Sequence, residues 1–362
     1  MSAKREVNVK NEARAIRIVQ WTTGNVAKQA LRALAGRPDL ELVGVYAWSK
    51  DKVGRDVGEL AGLGRTVGVA ATDDIDALIA LEPDCVVYMP LLPDVEEMAR
   101  LLRSGANIVT SAGFMTGRAL GESARATLEE AARAGNVSLF GSGINPGFAE
   151  YIAAVASNAS RDVTSVKVVE SFNIGLWAGD SNQDELGWGR PAGDPGHAEE
   201  IEKATAVFAD AVEVLADLLG GTLDDVRCEV QFAVATSDLD LPGRPVKKGH
   251  VAGIDVRWLG VSGGEDVVEL NVRWVLTQDL DPAWDVAMAY LIEVRGSPQI
   301  NLRVEVLPLD FSSMTMEDLY AMGSVITAMP VINAIRAVVA ARPGIVTYAD
   351  LPAVASRLVP KK

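Results

Sequence analysis

The chain has 362 residues, of which 49% are apolar, and a formal net charge of −15. This length predicts two domains, and the apolar fraction is enough for a large core. The sequence shows neither a basic stripe nor a run of like charge, so we do not expect nucleic-acid binding. Two histidines and two cysteines offer no metal-spaced cluster and no disulfide framework.

The expected location follows from the lack of targeting signals. No window approaches the ~20 consecutive apolar residues that a membrane helix needs. The first dozen residues are charged and lack the apolar centre of a signal peptide. We therefore expect a cytoplasmic protein with no membrane partner.

The first element in the chain is a strand–turn–helix unit. Apolar residues 16–21 enter the turn Thr22-Thr-Gly24-Asn-Val-Ala27, and an amphipathic helix follows over 26–35. Such a turn can hold a pyrophosphate, because the first N–H groups of the helix are unpaired and lie at its positive end. Of the fingerprint G-x-G-x-x-G only the middle glycine remains, so an ordinary βα turn is the alternative. The predicted coenzyme contacts here are Thr22, Thr23, Gly24, Asn25 and Val26.

Strand and helix signals alternate through the first part of the chain, and runs such as CVVYM are apolar on both faces. This alternation predicts an α/β domain with a Rossmann-type, doubly wound parallel sheet and a ligand crevice at the carboxyl ends of its strands. The predicted strands are 16–21, 40–46, 66–70, 85–89, 107–110 and 137–140, and the predicted helices are 26–35, 74–81, 94–104 and 119–134.

The second part of the chain has a different pattern. Long alternating runs predict an α+β domain with an open, largely antiparallel sheet. We expect a dinucleotide-binding domain over 14–150, a substrate and dimerisation domain over 151–320, and a C-terminal helix and tail over 321–362 that return to the first domain. The predicted helices are 148–160, 198–219 and 323–340, and the predicted strands are 163–172, 227–235, 250–261, 266–276, 286–294 and 299–306.

Motifs in this order are similar to those of a known superfamily. They include IRIVQWTTGNVAKQALRAL, VVYMPLLPDVEE, NIVTSAGF, GSGINPGF, YLIEVRGSP and NAIRAVVAARPGIVT. The chain resembles the dihydrodipicolinate-reductase-like superfamily, and within it the branch of 2,4-diaminopentanoate dehydrogenase and the native amine dehydrogenases. The resemblance implies a homodimer that uses NAD(P)H to aminate a carbonyl compound with ammonia, or that runs the reverse reaction.

One segment departs from the dihydrodipicolinate reductases. Those enzymes carry a His-His pair and a downstream Lys after the crossover helix, where this chain reads Glu170-Ser-Phe-Asn-Ile174. The imidazole and ammonium groups that would meet a dicarboxylate are missing. Reduction of a dicarboxylate is therefore disfavoured.

The end of the second strand indicates which coenzyme is preferred. An NAD enzyme places Asp or Glu there, whereas donor side chains favour the 2′-phosphate of NADP. This loop offers donors and an aromatic ring for the adenine, so we expect a preference for NADPH; Asp51 leaves NAD possible, and a solvated loop is the alternative. The residues concerned are Trp48, Ser49, Lys50, Lys52 and Arg55.

Reductive amination needs a carboxyl group that moves protons and stabilises an iminium cation. The resemblance implies that the loop containing Met89 and Pro90 lies beside the coenzyme and that an acid/base carboxylate lies close by. Glu96 and Glu97 are therefore catalytic candidates, although both also suit the positive end of a helix. Glu150 is a third candidate; the alternative is that it is a non-catalytic glutamate in the first turn of a helix.

Two glycine-containing segments are expected to face the nicotinamide, with Ser111 and Gly113 in the first and Asn145 and Pro146 in the second. Asn145 could bind the carboxamide, or could serve only in a helix-entry turn. The expected substrate wall is built from Phe148, Trp177, Asn182 and Trp188.

This wall lacks obvious cations, with Arg190 as the one nearby exception. It therefore favours a small aliphatic ketone or aldehyde over a keto-acid. The expected activity is reductive amination with free ammonia. The alternatives are an imine or diamino-acid reductase of the same fold, and a non-catalytic dinucleotide-binding sensor.

Overall fold

The computed structural model describes residues 14–358, apart from the side chains of residues 181 and 182. It contains two seven-stranded sheets. Helices cover both faces of the first sheet and one face of the second. This agrees with the predicted fold class, a Rossmann-type sheet followed by an α+β part.

All strand pairs in the first sheet are parallel. Its strands, in spatial order, are β14 (Gly344–Val346), β6 (Ser138–Gly141), β5 (Asn107–Thr110), β4 (Cys85–Tyr88), β1 (Ile16–Trp21), β2 (Leu40–Tyr46) and β3 (Ala71–Thr72). The chain moves outward from β1 in both directions, so the loops after β1 and β4 open a crevice between them.

The second sheet is antiparallel except where β10 pairs with β7. Its strands, in spatial order, are β11 (Leu280–Asp281), β8 (Asp225–Ala235), β9 (Val251–Ser262), β10 (Glu265–Val275), β7 (Arg161–Asn173), β12 (Ala289–Ser297) and β13 (Ile300–Val304).

The helices of the described residues are α1 (Asn25–Leu34), α2 (Val57–Leu60), α3 (Ile75–Ile79), α4 (Val95–Arg103), α5 (Glu122–Gly135), α6 (Phe148–Ser157), α7 (His197–Ala204), α8 (Val207–Leu218) and α9 (Met316–Val339). Helix α6 connects the two sheets, because it begins just after β6 and its C-terminal end leads into β7.

The second sheet has an apolar face and a charged face. Its helix-covered face buries Val166 and Val168 of β7. On the other face, Lys167 and Arg257 both form 2.9 Å ion pairs with Glu269. This difference between the two faces is what the alternating sequence pattern predicts.

The C-terminal part of the described chain packs against the first sheet. Residues of the second half of α9, such as Val331 and Ile335, are fully buried in the same core as α1 and β1. By length and composition α9 could cross a membrane, with a mean hydropathy of 1.6 over its most apolar window. A count of uninterrupted apolar residues missed it, because polar residues such as Ser324 and Thr327 interrupt the run.

The predicted strand 66–70 is wrong, and the observed strand β3 is only Ala71–Thr72. The carboxylate of Asp56 accepts hydrogen bonds from the backbone N–H groups of Val67 (2.9 Å) and Gly68 (2.8 Å). Gly68 also has a φ of 87°, which a strand does not tolerate. The segment is therefore a loop tied to a side chain.

The predicted helix 198–219 is two helices, α7 and α8. Thr205 separates them, and its hydroxyl donates to the Ile201 carbonyl at 2.8 Å and accepts from the Trp258 indole at 3.1 Å. The predicted start of the last helix at 323 is also wrong. The helix begins at Met316, where Thr315 caps it by accepting a 3.1 Å hydrogen bond from the Asp318 N–H.

Candidate active site

The turn after β1 is held by a threonine where the fingerprint has its first glycine. Thr22 has a φ of 75°, a region that β-branched residues rarely adopt. Its hydroxyl donates a 2.8 Å hydrogen bond to the carbonyl of Met89. Its N–H donates to the carbonyl of Tyr46 at 3.1 Å. Thr22 therefore ties together the chain segments that follow β1, β2 and β4.

The start of α1 fits a pyrophosphate. Gly24 is the N-cap with extended backbone, no side chain caps the helix, and its first turn contains no acidic residue. A Cβ built on Gly24 would have no atom within 4 Å, so the space beside it is open. The first N–H groups, which include those of Asn25 and Val26, are therefore available to an anion.

The loop after β2 carries the predicted donors on an exposed surface. Trp48 is 72% exposed. Three donors already contact carboxylates, since Ser49 bonds Asp51, Lys50 pairs with Asp73, and Arg55 pairs with Glu59 at 2.8 Å. No ion pair involving Lys52 is found within residues 14–358. Exposed pairs of this kind are weak, so a phosphate could displace the carboxylates.

Glu97 is tied to the ends of β1 and β4. One of its carboxylate oxygens, Oε1, accepts from the Trp21 indole at 2.8 Å and from the Tyr88 hydroxyl at 2.7 Å. Partial burial raises the pKa of Glu97, and the two hydrogen bonds oppose that rise. Glu96 is exposed on the same helix turn, and Asp94 caps the helix at 3.0 Å.

The segments after β5 and β6 lie at the carboxyl edge of the sheet. Ser111 is partly buried and Gly113 is exposed, with a φ of 58° and open space beside it. Asn145 and Pro146 are partly buried, and Phe148 begins α6. Because β4, β5 and β6 are neighbours, these loops lie on the side of the sheet away from the loop after β2.

A group of polar side chains joins the loop after β6 to the second sheet. The Asn145 amide donates to one oxygen of Glu170 at 2.7 Å, and the Trp274 indole donates to its other oxygen at 2.9 Å. Glu150 is 1% exposed, and its Oε2 accepts from the N–H of Gly147. We call Asn145, Glu150 and Glu170 the carboxyl cluster.

The two carboxyl groups of the cluster are weaker acids than an ordinary glutamate. Burial raises the pKa of Glu150 and of Glu170 to about 7 in each case. The charge of Glu170 contributes to the rise at Glu150. Across residues 14–358, no ion pair joins either carboxyl group to a basic side chain. At neutral pH the two groups therefore exchange protons easily, as a general acid or base must.

Sequence reasoning missed Glu170 as a functional candidate. A charged residue at an inward position of an apolar strand was a usable signal, because Val166, Val168 and Phe172 share its face. It also lies in the segment where dihydrodipicolinate reductases carry their histidine pair.

The predicted substrate residues have different surroundings in the structure. Trp177 is partly buried, and its indole donates to the carbonyl of Tyr320 in α9 at 3.3 Å. Trp188 is 5% exposed and belongs to the core beneath the second sheet, so its position does not support a role in a pocket wall. The side chain of Asn182 lies outside the described residues.

Arg190 already pairs with two carboxylates. It forms an ion pair with Glu200 at 2.6 Å and a second one with Asp194 at 3.6 Å. No cluster of three or more metal-binding side chains is found within residues 14–358.

The sequence of this chain is similar to a family model and to a dehydrogenase of known name. Residues 199–359 match the family model described as the 2,4-diaminopentanoate dehydrogenase C-terminal domain. An amine dehydrogenase from Streptomyces virginiae is 28% identical over 93% of this chain and 96% of its own length.

Two solved structures are similar in fold. The amine dehydrogenase from Mycobacterium smegmatis has a TM-score of 0.76 at 22% identity, covering 94% of this chain and 97% of its own. GenD2 from gentamicin A biosynthesis, in complex with NAD, has a TM-score of 0.51 at 17% identity, covering 89% and 87%. The chain is an NAD(P)-dependent oxidoreductase that is similar over most of its length to an amine dehydrogenase, and its C-terminal part is similar to the C-terminal domain of 2,4-diaminopentanoate dehydrogenase.

Proposed function

We propose that this protein is an amine dehydrogenase that aminates small aliphatic ketones or aldehydes with ammonia, with NADPH as the preferred coenzyme. The main support is the carboxyl cluster, where Glu170 meets Asn145 at 2.7 Å beside the loop after β6. A carboxyl group with a pKa near neutrality suits a reaction that both adds and removes protons. The similarity to amine dehydrogenases agrees with this chemistry.

The coenzyme would be held along the carboxyl edge of the first sheet. The turn from Thr22 to Val26 would bind its pyrophosphate, and Trp48, Ser49, Lys50, Lys52 and Arg55 would surround its adenosine end. Met89, Pro90, Ser111, Gly113, Asn145 and Pro146 would line the other half. When bound, the coenzyme supplies the hydride that reduces the iminium carbon.

Glu170 would carry the proton transfers. Its ionised form takes a proton from the incoming ammonium, and its neutral form returns a proton to the carbinolamine oxygen, which leaves as water. Once ionised again, it stabilises the iminium cation electrostatically. Glu150, the predicted candidate of the same cluster, would share the proton.

The other predicted acid/base residues fit structural roles better. Both hydrogen bonds to Glu97 come from the buried side chains of Trp21 and Tyr88, at the ends of β1 and β4. Glu96 is exposed and suits the positive end of α4. We therefore assign the acid/base role to the carboxyl cluster.

The proposed substrate is uncharged before amination. Arg190 is already paired with Glu200 and Asp194, so a keto-acid would have to displace two carboxylates to bind it. Phe148, Trp177 and the segment containing Asn182 would form the wall of the substrate pocket.

Two further proposals concern the whole protein: a cytoplasmic location, and a homodimer formed through the charged face of the second sheet. The division into 14–150, 151–320 and 321–362 is likewise a proposal.

The test has two parts, which measure coenzyme binding and the dependence of turnover on ammonium. Thermal shift with NADP⁺ and NAD⁺ first measures coenzyme binding. NADPH consumption is then followed with cyclohexanone, small aldehydes and amino ketones, each with and without ammonium chloride. We expect consumption that requires ammonium and yields the amine. Consumption at the same rate without ammonium, with an alcohol as product, would show a carbonyl reductase instead.

A further inference from the structure

We propose that Glu150 and Glu170 form an ammonium-binding subsite, in which the unpartnered oxygen of Glu150 accepts a hydrogen bond from the ammonium ion. This inference rests on the proposed function, because it specifies where the nitrogen donor of that reaction binds. It adds a binding role to Glu150, which sequence reasoning considered only as an acid/base residue.

The first observation is an orphaned oxygen. Glu150 is 1% exposed, and its Oε2 accepts from the N–H of Gly147, yet its Oε1 is buried with no hydrogen-bond partner. Buried polar atoms are nearly always paired, since leaving one unpaired is costly. The Oδ1 atom of Asn145, in the same cluster, is also buried without a partner. Two acceptors without donors indicate a missing donor.

The second observation is the charge of the surroundings. The charge of Glu170 from β7 raises the pKa of Glu150, and the charge of Glu150 in turn raises the pKa of Tyr290 from β12 and of Tyr348 from the C-terminal segment. Burial raises the pKa of both tyrosines, so they stay neutral. No ion pair within residues 14–358 compensates Glu150 or Glu170. A small cation therefore suits the site, and an anion does not.

Ammonium fits both observations. It has four N–H donors, no acceptor, a positive charge and about the size of a water molecule. A neutral water molecule could pair the orphaned oxygen, but it carries no charge that would offset an ionised carboxylate of the pair. A ligand that supplies charge and donors together satisfies the whole cluster.

The subsite also gives a balanced amination step. An ionised carboxylate of the pair takes one proton from ammonium and leaves ammonia, whose lone pair forms the new C–N bond with the carbonyl carbon while the C=O π pair moves to the oxygen. One proton then passes from the nitrogen to that oxygen, which gives the neutral carbinolamine. The protonated carboxyl group gives its proton to the carbinolamine oxygen, the nitrogen lone pair forms the C=N bond as the C–O bond breaks, and water leaves. The net change converts carbonyl and ammonium to iminium and water, and the carboxylate is restored.

The decisive experiment is saturation kinetics for ammonium at fixed pH, with saturating NADPH and ketone. Glu150→Gln keeps an oxygen for the Gly147 N–H and turns an amide N–H₂ toward the subsite, where a donor repels ammonium. We expect the KM for ammonium to rise about ten- to a hundredfold, while the KM values for NADPH and ketone stay within about twofold. Glu130→Gln, the same change on the exposed face of α5, is the control.

Glu150→Asp is the second variant, because it keeps the charge but withdraws the oxygen by one methylene, and it should raise the same KM. Thermal melts confirm that each variant is folded. An unchanged KM for ammonium in both folded variants would overturn the subsite while leaving the amine dehydrogenase proposal intact. If the wild type shows no ammonium-dependent turnover, the proposed function fails, and a direct binding measurement then decides the subsite.

That measurement is anomalous diffraction from crystals soaked in thallous ion, which has the charge and nearly the size of ammonium. We expect density beside Glu150 Oε1 in the wild type and none in Glu150→Gln. Crystals of the wild type with no density there would contradict the inference independently of any rate.

Discussion

The side-chain amide of Asn145 donates a 2.7 Å hydrogen bond to the carboxyl group of Glu170. Asn145 lies just after β6 of the first sheet, and Glu170 lies within β7 of the second. The bond therefore joins the nicotinamide side of the predicted coenzyme crevice to the sheet that would hold the substrate. It puts a carboxyl group with a pKa of about 7 at the junction.

The first prediction concerns Glu170→Gln. Gln has a similar shape and still bonds to Trp274, but it cannot move a proton. We expect kcat for amination to fall by about 10²- to 10⁴-fold, the usual contribution of a general acid/base. The coenzyme dissociation constant, measured by fluorescence titration, should change little. A folded Glu170→Gln enzyme with a wild-type rate would contradict the assignment.

The second prediction concerns stability and pH. Burial raises the pKa of Glu150 from 4.5 to about 7, so the folded state holds a proton that the unfolded state has released between those values. Stability from this group is therefore complete below pH 4.5 and is lost as pH rises through 7. Glu170, Tyr290 and Tyr348 are the titratable groups that face it.

Glu150→Gln removes this dependence. Relative to wild type, the variant should gain up to roughly 3 kcal/mol of unfolding free energy between pH 4.5 and pH 8. Urea denaturation at both pH values measures the difference, with Glu130→Gln as the control. A difference that is the same at both pH values would show that Glu150 is not protonated in the fold.

The third prediction concerns the strained turn. Thr22→Val keeps the β-branched shape at a φ of 75° but loses the hydroxyl that donates to Met89. We expect it to destabilise the fold by about 1–2 kcal/mol, since the Met89 carbonyl loses its donor. Thr22→Gly loses the same bond but relieves the backbone, so it should cost less. Urea unfolding midpoints rank the stabilities of the two variants. A Thr22→Gly variant less stable than Thr22→Val would show that the backbone at Thr22 is not strained.

The fourth prediction concerns coenzyme choice. Lys50 pairs with Asp73 on an exposed surface, and the 2′-phosphate of NADPH should replace that weak pairing. Lys50→Ala should raise the KM for NADPH about tenfold and leave that for NADH within about twofold. Asp73→Asn, which frees Lys50, should lower the KM for NADPH. Equal effects on both coenzymes would mean that Lys50 does not bind the 2′-phosphate.

The fifth prediction separates Glu97 from the catalytic group. Glu97→Leu leaves the buried Trp21 and Tyr88 without an acceptor, so it should cost about 2–4 kcal/mol of stability. Glu97→Gln keeps an accepting oxygen and should alter kcat by less than about threefold. If Glu97→Gln is stable but loses turnover by a hundredfold or more, the acid/base residue is Glu97 and the carboxyl cluster has another role.

Local sequence patterns determined where most strands of the first sheet lie and which turn suits a pyrophosphate. Apolar runs of strand length and amphipathic helices depend on neighbouring residues, so β1, β2, β4 and β5 could be located closely. Errors arose where a distant group changed the local outcome. The carboxylate of Asp56 binds backbone N–H groups within the predicted strand 66–70, which is a loop instead. The Trp258 indole donates a hydrogen bond to Thr205, where the predicted helix 198–219 is interrupted.

Only the tertiary structure decided which carboxyl groups have unusual acidity. Glu170 bonds to Asn145 at a separation of 25 residues and to Trp274 at a separation of 104 residues. Arg190 forms an ion pair with Glu200, and Trp188 is buried in the core. The pKa of a carboxyl group depends on burial and on nearby charges, and both are set by folding. The sequence could therefore name candidate residues, whereas the packing of two sheets selected the group with the pKa that the chemistry needs.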